Sequence, residues 1–167
     1  MTTRSWIGAL ALTLASAAAL TAAPAAVAAD DTTRTSAAHG PSAQVLQDRP
    51  ELNGMRVKPV NGPAVYLVLD GRRRWIPNPA TYNNLFRDWN GIQSVIDIGS
   101  IPDGGALSDG AFLGKAPNAP EVYLISNGVK RWITSPAAMD KYYFAWNKIV
   151  NVSPVAIAAI PSGAAIS

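Results

Sequence analysis

The side chains of this 167-residue chain that could do chemistry are aromatic and basic rather than catalytic. Trp75 lies near Tyr66 and Arg73, and Trp132 lies near Tyr123 and Lys130 in the same relative order. A flat indole beside a second ring, with hydrogen-bond donors at its edge, suits stacking on a sugar ring or gripping an extended chain. The same residues also suit plain packing, with Arg73 and Lys130 lying across the indoles as surface cation–π contacts. Arg74 and Arg131, one residue further on, read as structural ion pairs or carbonyl contacts, with a carboxylate clamp as the functional alternative.

Catalytic chemistry finds little to build on. His39 is the single histidine and cysteine is absent, so neither a serine–histidine site nor a His- or Cys-ligated metal site is expected. There is no Gly-x-Ser-x-Gly elbow and no phosphate-cradling Gly loop with Lys. Glycosidase chemistry needs two converging carboxyls. The carboxylates here are scattered, since Asp70 is matched by Asn127 and Asp88 by Ala145. The expectation is therefore no catalytic residues, no metal and no cofactor.

Those matches come from an internal repeat. The stretch Val65-Tyr66-Leu67-Val68-Leu69-Asp70-Gly71-Arg72-Arg73-Arg74-Trp75-Ile76 returns as Val122-Tyr123-Leu124-Ile125-Ser126-Asn127-Gly128-Val129-Lys130-Arg131-Trp132-Ile133. The register holds without a gap to Trp89-Asn90, matched by Trp146-Asn147, and on to Val95, matched by Val152; 13 of these 31 positions are identical. Repetition at such a period signals supersecondary units that bury a core only by stacking. The modules span 53–107 and 108–167.

Each module needs elements that position its tryptophan. Asp70-Gly71 and Asn127-Gly128 between apolar runs predict type I′ hairpins. A two-residue loop sets Tyr66 opposite Trp75 and divides the hairpin into two faces. One carries Val65, Leu67, Leu69, Arg72, Arg74 and Ile76; the other carries Tyr66, Val68, Arg73 and Trp75. Asn78-Pro79 and Ser135-Pro136 predict N-capped helices. Their apolar stripes run through Tyr82, Leu85, Phe86 and Trp89, and through Met139, Tyr142, Tyr143 and Trp146, which assigns Trp89 and Trp146 to the core. A strand should follow over Ile92 to Ile98 and Ile149 to Val152, with a closing Ile-Pro-x-Gly turn and an extra helical turn at Ser153-Pro154. The fold class is thus α+β: two tandem modules, each a β-hairpin, a short helix and a further strand, packed about a pseudo-twofold axis. One hairpin and one helix bury too little alone, so the copies should share a core or complete each other's sheets.

Outside the modules, Arg4, an apolar stretch from Trp6 to Leu20 and Val27-Ala28-Ala29 before Asp30 read as a secretion signal over 1–29. Residues 30–52 read as a flexible tail. A disulfide-free, secreted, extracellular protein is expected, without a membrane anchor after signal removal. The net charge is +3, and losing Arg4 leaves 13 basic against 11 acidic side chains. That balance says little about partners; a secreted protein meets little nucleic acid, so no nucleic-acid partner is expected and Arg72-Arg73-Arg74 reads as a solvated strand.

The second module, closing on Ile160-Pro161-Ser162-Gly163, resembles a repeat of secreted bacterial proteins, including those of actinomycetes. That repeat reads V-Y-L-I-x-N-G-x-K-R-x-I, then a Pro-led helix, a Trp and I-P-x-G. The resemblance covers nearly all of both modules, the first departing at Asp70 and Arg72. It implies an exported repeat module and carries over no site residues. The expectation overall is a non-catalytic binding protein for extracellular or cell-wall polysaccharide. Trp75, Trp132, Tyr66, Tyr123, Arg73 and Lys130 would form the sites. The rivals are a protein-interaction module or inhibitor acting on a secreted hydrolase, and a small hydrolase.

Overall fold

A computed structural model describes residues 46–167. The expected signal over 1–29, the tail up to residue 45 and His39 lie outside the described residues. The fold is α+β, with two sheets and three short helices among the described residues. The first sheet contains β1 (Arg56–Pro59), β2 (Tyr66–Leu69), β3 (Arg72–Trp75), β4 (Gln93–Val95) and β5 (Asp103–Ala106), in the order β4-β1-β2-β3-β5. Helix α1 (Pro79–Leu85) follows β3. The second sheet contains β6 (Phe112–Lys115), β7 (Val122–Ser126), β8 (Val129–Ile133) and β9 (Val150–Asn151), in the order β8-β7-β6-β9. Helices α2 (Pro136–Lys141) and α3 (Pro154–Ala159) complete it.

Neighbour relations recur between the sheets. β1 is antiparallel to β2 and parallel to β4, as β6 is antiparallel to β7 and parallel to β9. β5 runs parallel beside β3, and its place beside β8 is taken by parallel bridges from Ser162 to Lys130 and from Ile166 to Ile133. The Ile-Pro-x-Gly segments thus form sheet edges, not simple turns.

The hairpins follow the sequence closely. Asp70 and Gly71 have φ of 59° and 72°, and Asn127 and Gly128 have 53° and 72°, as a type I′ turn requires. Leu69 pairs with Arg72, Val68 with Arg73, Leu67 with Arg74 and Tyr66 with Trp75. Each turn is clasped by the chain preceding its module. The Gly71 N–H donates to Asn53 Oδ1 (2.7 Å), and the Arg49 N–H donates to the Gly71 carbonyl. Asn127 is held by Ser108 Oγ and the Ala106 carbonyl. The segment from Asp48 to Leu52, expected as tail, is therefore structured: it carries a 3-10 turn over Pro50–Leu52 and an Asp48–Arg72 ion pair of 2.8 Å.

The helices start where expected. Asn78 Oδ1 accepts from Thr81 N–H and Ser135 Oγ from Ala138 N–H, with proline in the first turn. They end early, at Leu85 and Lys141, so Trp89 and Trp146 leave the helical stripe. The cause is tertiary. Phe86 turns extended and bridges antiparallel to Phe144, with Arg87 N–H donating to the Tyr143 carbonyl and Ala145 N–H to the Leu85 carbonyl. Pairing between the copies replaces a further helical turn in each.

One core serves both modules. Leu67, Leu69, Ile76, Tyr82, Leu85 and Phe86 pack with Leu113, Leu124, Ile133, Met139, Tyr142 and Phe144. The Phe86 and Phe144 rings stack at 5.7 Å, in line with the expected shared core. The other hairpin face forms a smaller cluster of Val57, Val68 and Ile101, with Tyr66, Val95 and Ile98 against it.

Candidate functional site: two aromatic grooves

Trp75 and Trp132 sit at the far ends of their hairpin strands, where the sheet stops and the chain enters the helix cap. Trp89 and Trp146 come back to the same places after the shortened helices. Each pair lines one groove. The first groove is walled by Pro63, Ala64, Val65, Trp75, Ile76, Pro77, Asn78, Pro79, Tyr82 and Trp89. The second is walled by Pro120, Glu121, Val122, Trp132, Ile133, Thr134, Ser135, Pro136, Met139 and Trp146. Every lining position of one groove is matched in the other at the sequence offset of the repeat. The volumes are about 380 and 370 Å³.

All four indoles are partly open to solvent: Trp75 is 44% exposed, Trp89 46%, Trp132 45% and Trp146 47%. The assignment of Trp89 and Trp146 to the core is thus corrected, for the reason given above: the helix ends before it can carry them inward. Trp89 stacks one face on Tyr82, with centroids 3.9 Å apart and planes at 22°. Its indole N–H donates to Asn83 Oδ1 (2.9 Å).

Tyr66 and Tyr123 pair across the strands with Trp75 and Trp132 as expected, but neither they nor Arg73 and Lys130 are among the residues that line either groove. Segments that close each module cover that face of the hairpin. Arg73 Nη1 donates to the carbonyls of Ile98 (3.1 Å) and Ile101, and Asp103 lies 3.5 Å from its Nη2. Lys130 Nζ donates to the Ile157 carbonyl and lies 5.7 Å from the Tyr123 ring centroid. Main-chain carbonyls of the covering turns take up these cations, and Tyr66 packs into the small cluster beneath. Trp75 and Trp132 remain open.

Most polar groups of the grooves are already engaged. Asn78 accepts from Thr81 N–H and donates Nδ2–H to Asp109 Oδ1 (2.6 Å), fixing the helix cap to the start of the second module. Ser135 caps α2, and Thr134 Oγ1 donates to the Ile166 carbonyl (3.1 Å).

Sequence reasoning missed what stands behind the first groove. Arg56 is 5% exposed. Its Nη1 donates to Tyr82 Oη (2.6 Å) and the Asp88 carbonyl (3.1 Å), and its Nη2 to the Asn90 carbonyl (2.7 Å). The guanidinium lies 3.8 Å over the Tyr143 ring, whose hydroxyl donates to Asp88 Oδ2 (2.9 Å). Burial pushes the Tyr82 phenol above its ordinary value, against the pull of Arg56. The bond to Asp88 pushes Tyr143 up, so both phenols stay protonated donors. The Asn90 N–H, then the Tyr143 hydroxyl, hold Asp88 low. The only sequence signal was the departure of Tyr82 and Asp88 from Met139 and Ala145.

Arg74 and Arg131 make the carbonyl and ion-pair contacts foreseen for them. Arg74 Nη1 donates to the Gly104 carbonyl and Arg131 Nε to the Ala164 carbonyl, both at 2.6 Å. Arg131 also grips Asp70 with two bonds of 2.7 and 2.8 Å, tying one copy's strand to the other's turn.

What this geometry defines is an α+β protein with two open, apolar grooves lined at matched positions. No family model matches the chain, and no curated protein or solved structure matches it. Among the described residues no helix is long and apolar enough to cross a membrane.

Proposed function

We propose that this chain is a secreted, non-catalytic binding protein that holds an extended polysaccharide in its two tryptophan grooves. The observation that carries the reading is the pair of half-open indoles in each groove, lined by the same ten positions in both copies. The C–H face of a pyranose ring is apolar and stacks on an indole, while its hydroxyls stay in water. Two sites on one chain convert the second contact with a polymer into an intramolecular event, so a polymer binds more tightly than its monomer.

A second reading has its own support. The engagement of Asn78, Tyr82, Thr134 and Ser135 within the protein leaves walls of proline and indole. Such walls also suit a proline-rich polypeptide, recognised as a polyproline II helix in an aromatic groove.

Titration of intrinsic tryptophan fluorescence with peptidoglycan, chitin, cellulose and soluble glucans decides between them. Saturable quenching is expected with at least one polysaccharide. Trp75→Ala or Trp132→Ala should each lose the avidity, about tenfold or more, and the double variant should not bind. Folded protein that stays silent toward all four, yet pulls a stoichiometric protein partner from culture supernatant, establishes the second reading instead.

A further inference from the structure

We propose that the two grooves differ in ligand: the second takes a sugar residue bearing a free ammonium group, and the first takes a neutral one. This rests on the polysaccharide reading and adds the substrate class. It would make a partly or fully N-deacetylated amino-sugar polymer the preferred partner.

Three differences at matched positions carry the inference. Ala64 in the first groove is replaced by Glu121 in the second, half-buried in the lining. Among the described residues no ion pair includes its carboxylate. Lys130, a strand away, is spent on the Ile157 carbonyl. An ammonium set between an indole face and a carboxylate is attracted by both, by the ring quadrupole and by direct charge.

The second difference is on the indole. Trp89 N–H is occupied by Asn83, whereas Asp140, at the matched position, is held by Arg87 from the other copy. Trp146 N–H is left to bond a ligand hydroxyl. The third lies behind the floor. Tyr82 of the first groove is bonded at 2.6 Å to the buried Arg56 guanidinium, whose charge is balanced by the Asp88 carboxylate of the same network, so this groove offers no free anion to an ammonium. At that position the second groove has Met139, and the residue matching Arg56 is Leu113. Charge therefore favours an ammonium in the second groove and gives it no advantage in the first.

The test uses the full mature chain, with glucosamine oligomers and N-acetylglucosamine oligomers of equal length as probes. Trp75→Ala isolates the second groove and Trp132→Ala isolates the first. In Trp75→Ala, the glucosamine oligomer should bind about fivefold more tightly than its acetylated counterpart, a preference that high salt removes. Adding Glu121→Gln should abolish the preference while acetylated binding persists. In Trp132→Ala the acetylated oligomer should bind as well or better, and adding Ala64→Glu should reverse that order. Equal binding of both oligomers by Trp75→Ala, or a preference that survives Glu121→Gln, overturns the proposal but leaves the polysaccharide reading standing. Binding of neither oligomer by any form overturns the proposal and leaves the polysaccharide reading to the titration with cellulose and glucans, whereas tighter binding of oligolysine than of either sugar removes both.

Discussion

Behind the first groove, a guanidinium, a phenol and a carboxylate form a hydrogen-bonded network; behind the second, the matching residues Leu113, Met139 and Ala145 are apolar and buried. The linings in front differ far less, with proline, valine, isoleucine and both tryptophans kept in place. The backbone between them has the same order of four strands in both copies, with isolated bridges in the second where the first has β5. The support can thus be polar or apolar, provided that every buried donor and acceptor in the polar version is satisfied. What the two copies hold in common is the open aromatic wall.

The comparison assumes that the copies stand or fall together, and the largest effect tests this. Phe86 and Phe144 are fully buried and stack where the copies meet. Phe86→Ala should cost about 3–5 kcal/mol through lost burial and the cavity left behind. Phe144→Ala should cost a similar amount. Chemical denaturation followed by tryptophan emission should then show one transition in either variant. Two separated transitions would mean that each copy carries its own core.

Next in size is the polar support. Arg56→Leu removes three charge-assisted bonds and leaves Tyr82 Oη and the Asn90 carbonyl without that donor, the Asp88 carbonyl keeping only the Tyr82 hydroxyl (2.9 Å), at a cost of about 3 kcal/mol. Converting the whole set, with Arg56→Leu, Tyr82→Met and Asp88→Ala together, makes the first support resemble the second. Replacing every partner of a buried polar network by apolar groups is often close to neutral. The Asn90 carbonyl and the Tyr143 hydroxyl still lose their partners, so the triple variant should regain part of the lost stability in urea denaturation. If it is no better than Arg56→Leu, the two supports are not interchangeable.

How far the sequence foretold this arrangement depended on the range of the forces involved. The turns at Asp70-Gly71 and Asn127-Gly128, the register within each hairpin and the Asn78 and Ser135 caps are set within a few residues and were legible, whereas β1, β5 and β6 were not. Nor were the helix ends. Periodicity continued through Trp89 and Trp146, but the Phe86–Phe144 bridge between the copies drew the chain out of the helix first. That competition has no local signature. The same shortfall hid the surroundings of the indoles: the matched tryptophans pointed to Trp75 and Trp132, while the contacts of Arg73 and Lys130 with the Ile98, Ile101 and Ile157 carbonyls depended on where the closing segments fold back. Arg56 was invisible because an isolated arginine between Met55 and Val57 gives no sign of the partners, 26 to 34 residues away, that bury it.

A smaller effect separates lining from support. Trp75 and Trp89 are exposed to nearly the same degree, so alanine at either should cost about 1–2 kcal/mol, from the half of the ring that is buried. Thermal denaturation should rank both well below Phe86→Ala. A loss at Trp89 as large as that at Phe86 would return Trp89 to the core and dissolve the paired-indole groove.

The smallest effect lies at the tip where the copies touch. Asp70 is gripped by Arg131 from the other copy, whereas Asn127 at the matched turn bonds only neutral groups. Burial raises the Asp70 carboxyl, but Arg131 and then Arg74 outweigh it, and the net shift is below the ordinary 3.8. A carboxylate held low in the folded state stabilises at pH values above its unfolded value, and that contribution fades as pH falls through the folded value. With the side chain still partly in water, Asp70→Asn should cost about 1 kcal/mol near neutral pH. Melting curves of the parent and Asp70→Asn should differ by a constant amount above about pH 5 and converge as the solution is acidified below the ordinary carboxylate value. Because Asp70→Asn gives the first turn the residue of the second, a gap that stayed constant down to the lowest pH would show that the turn itself, not the grip of Arg131, distinguishes the two copies there.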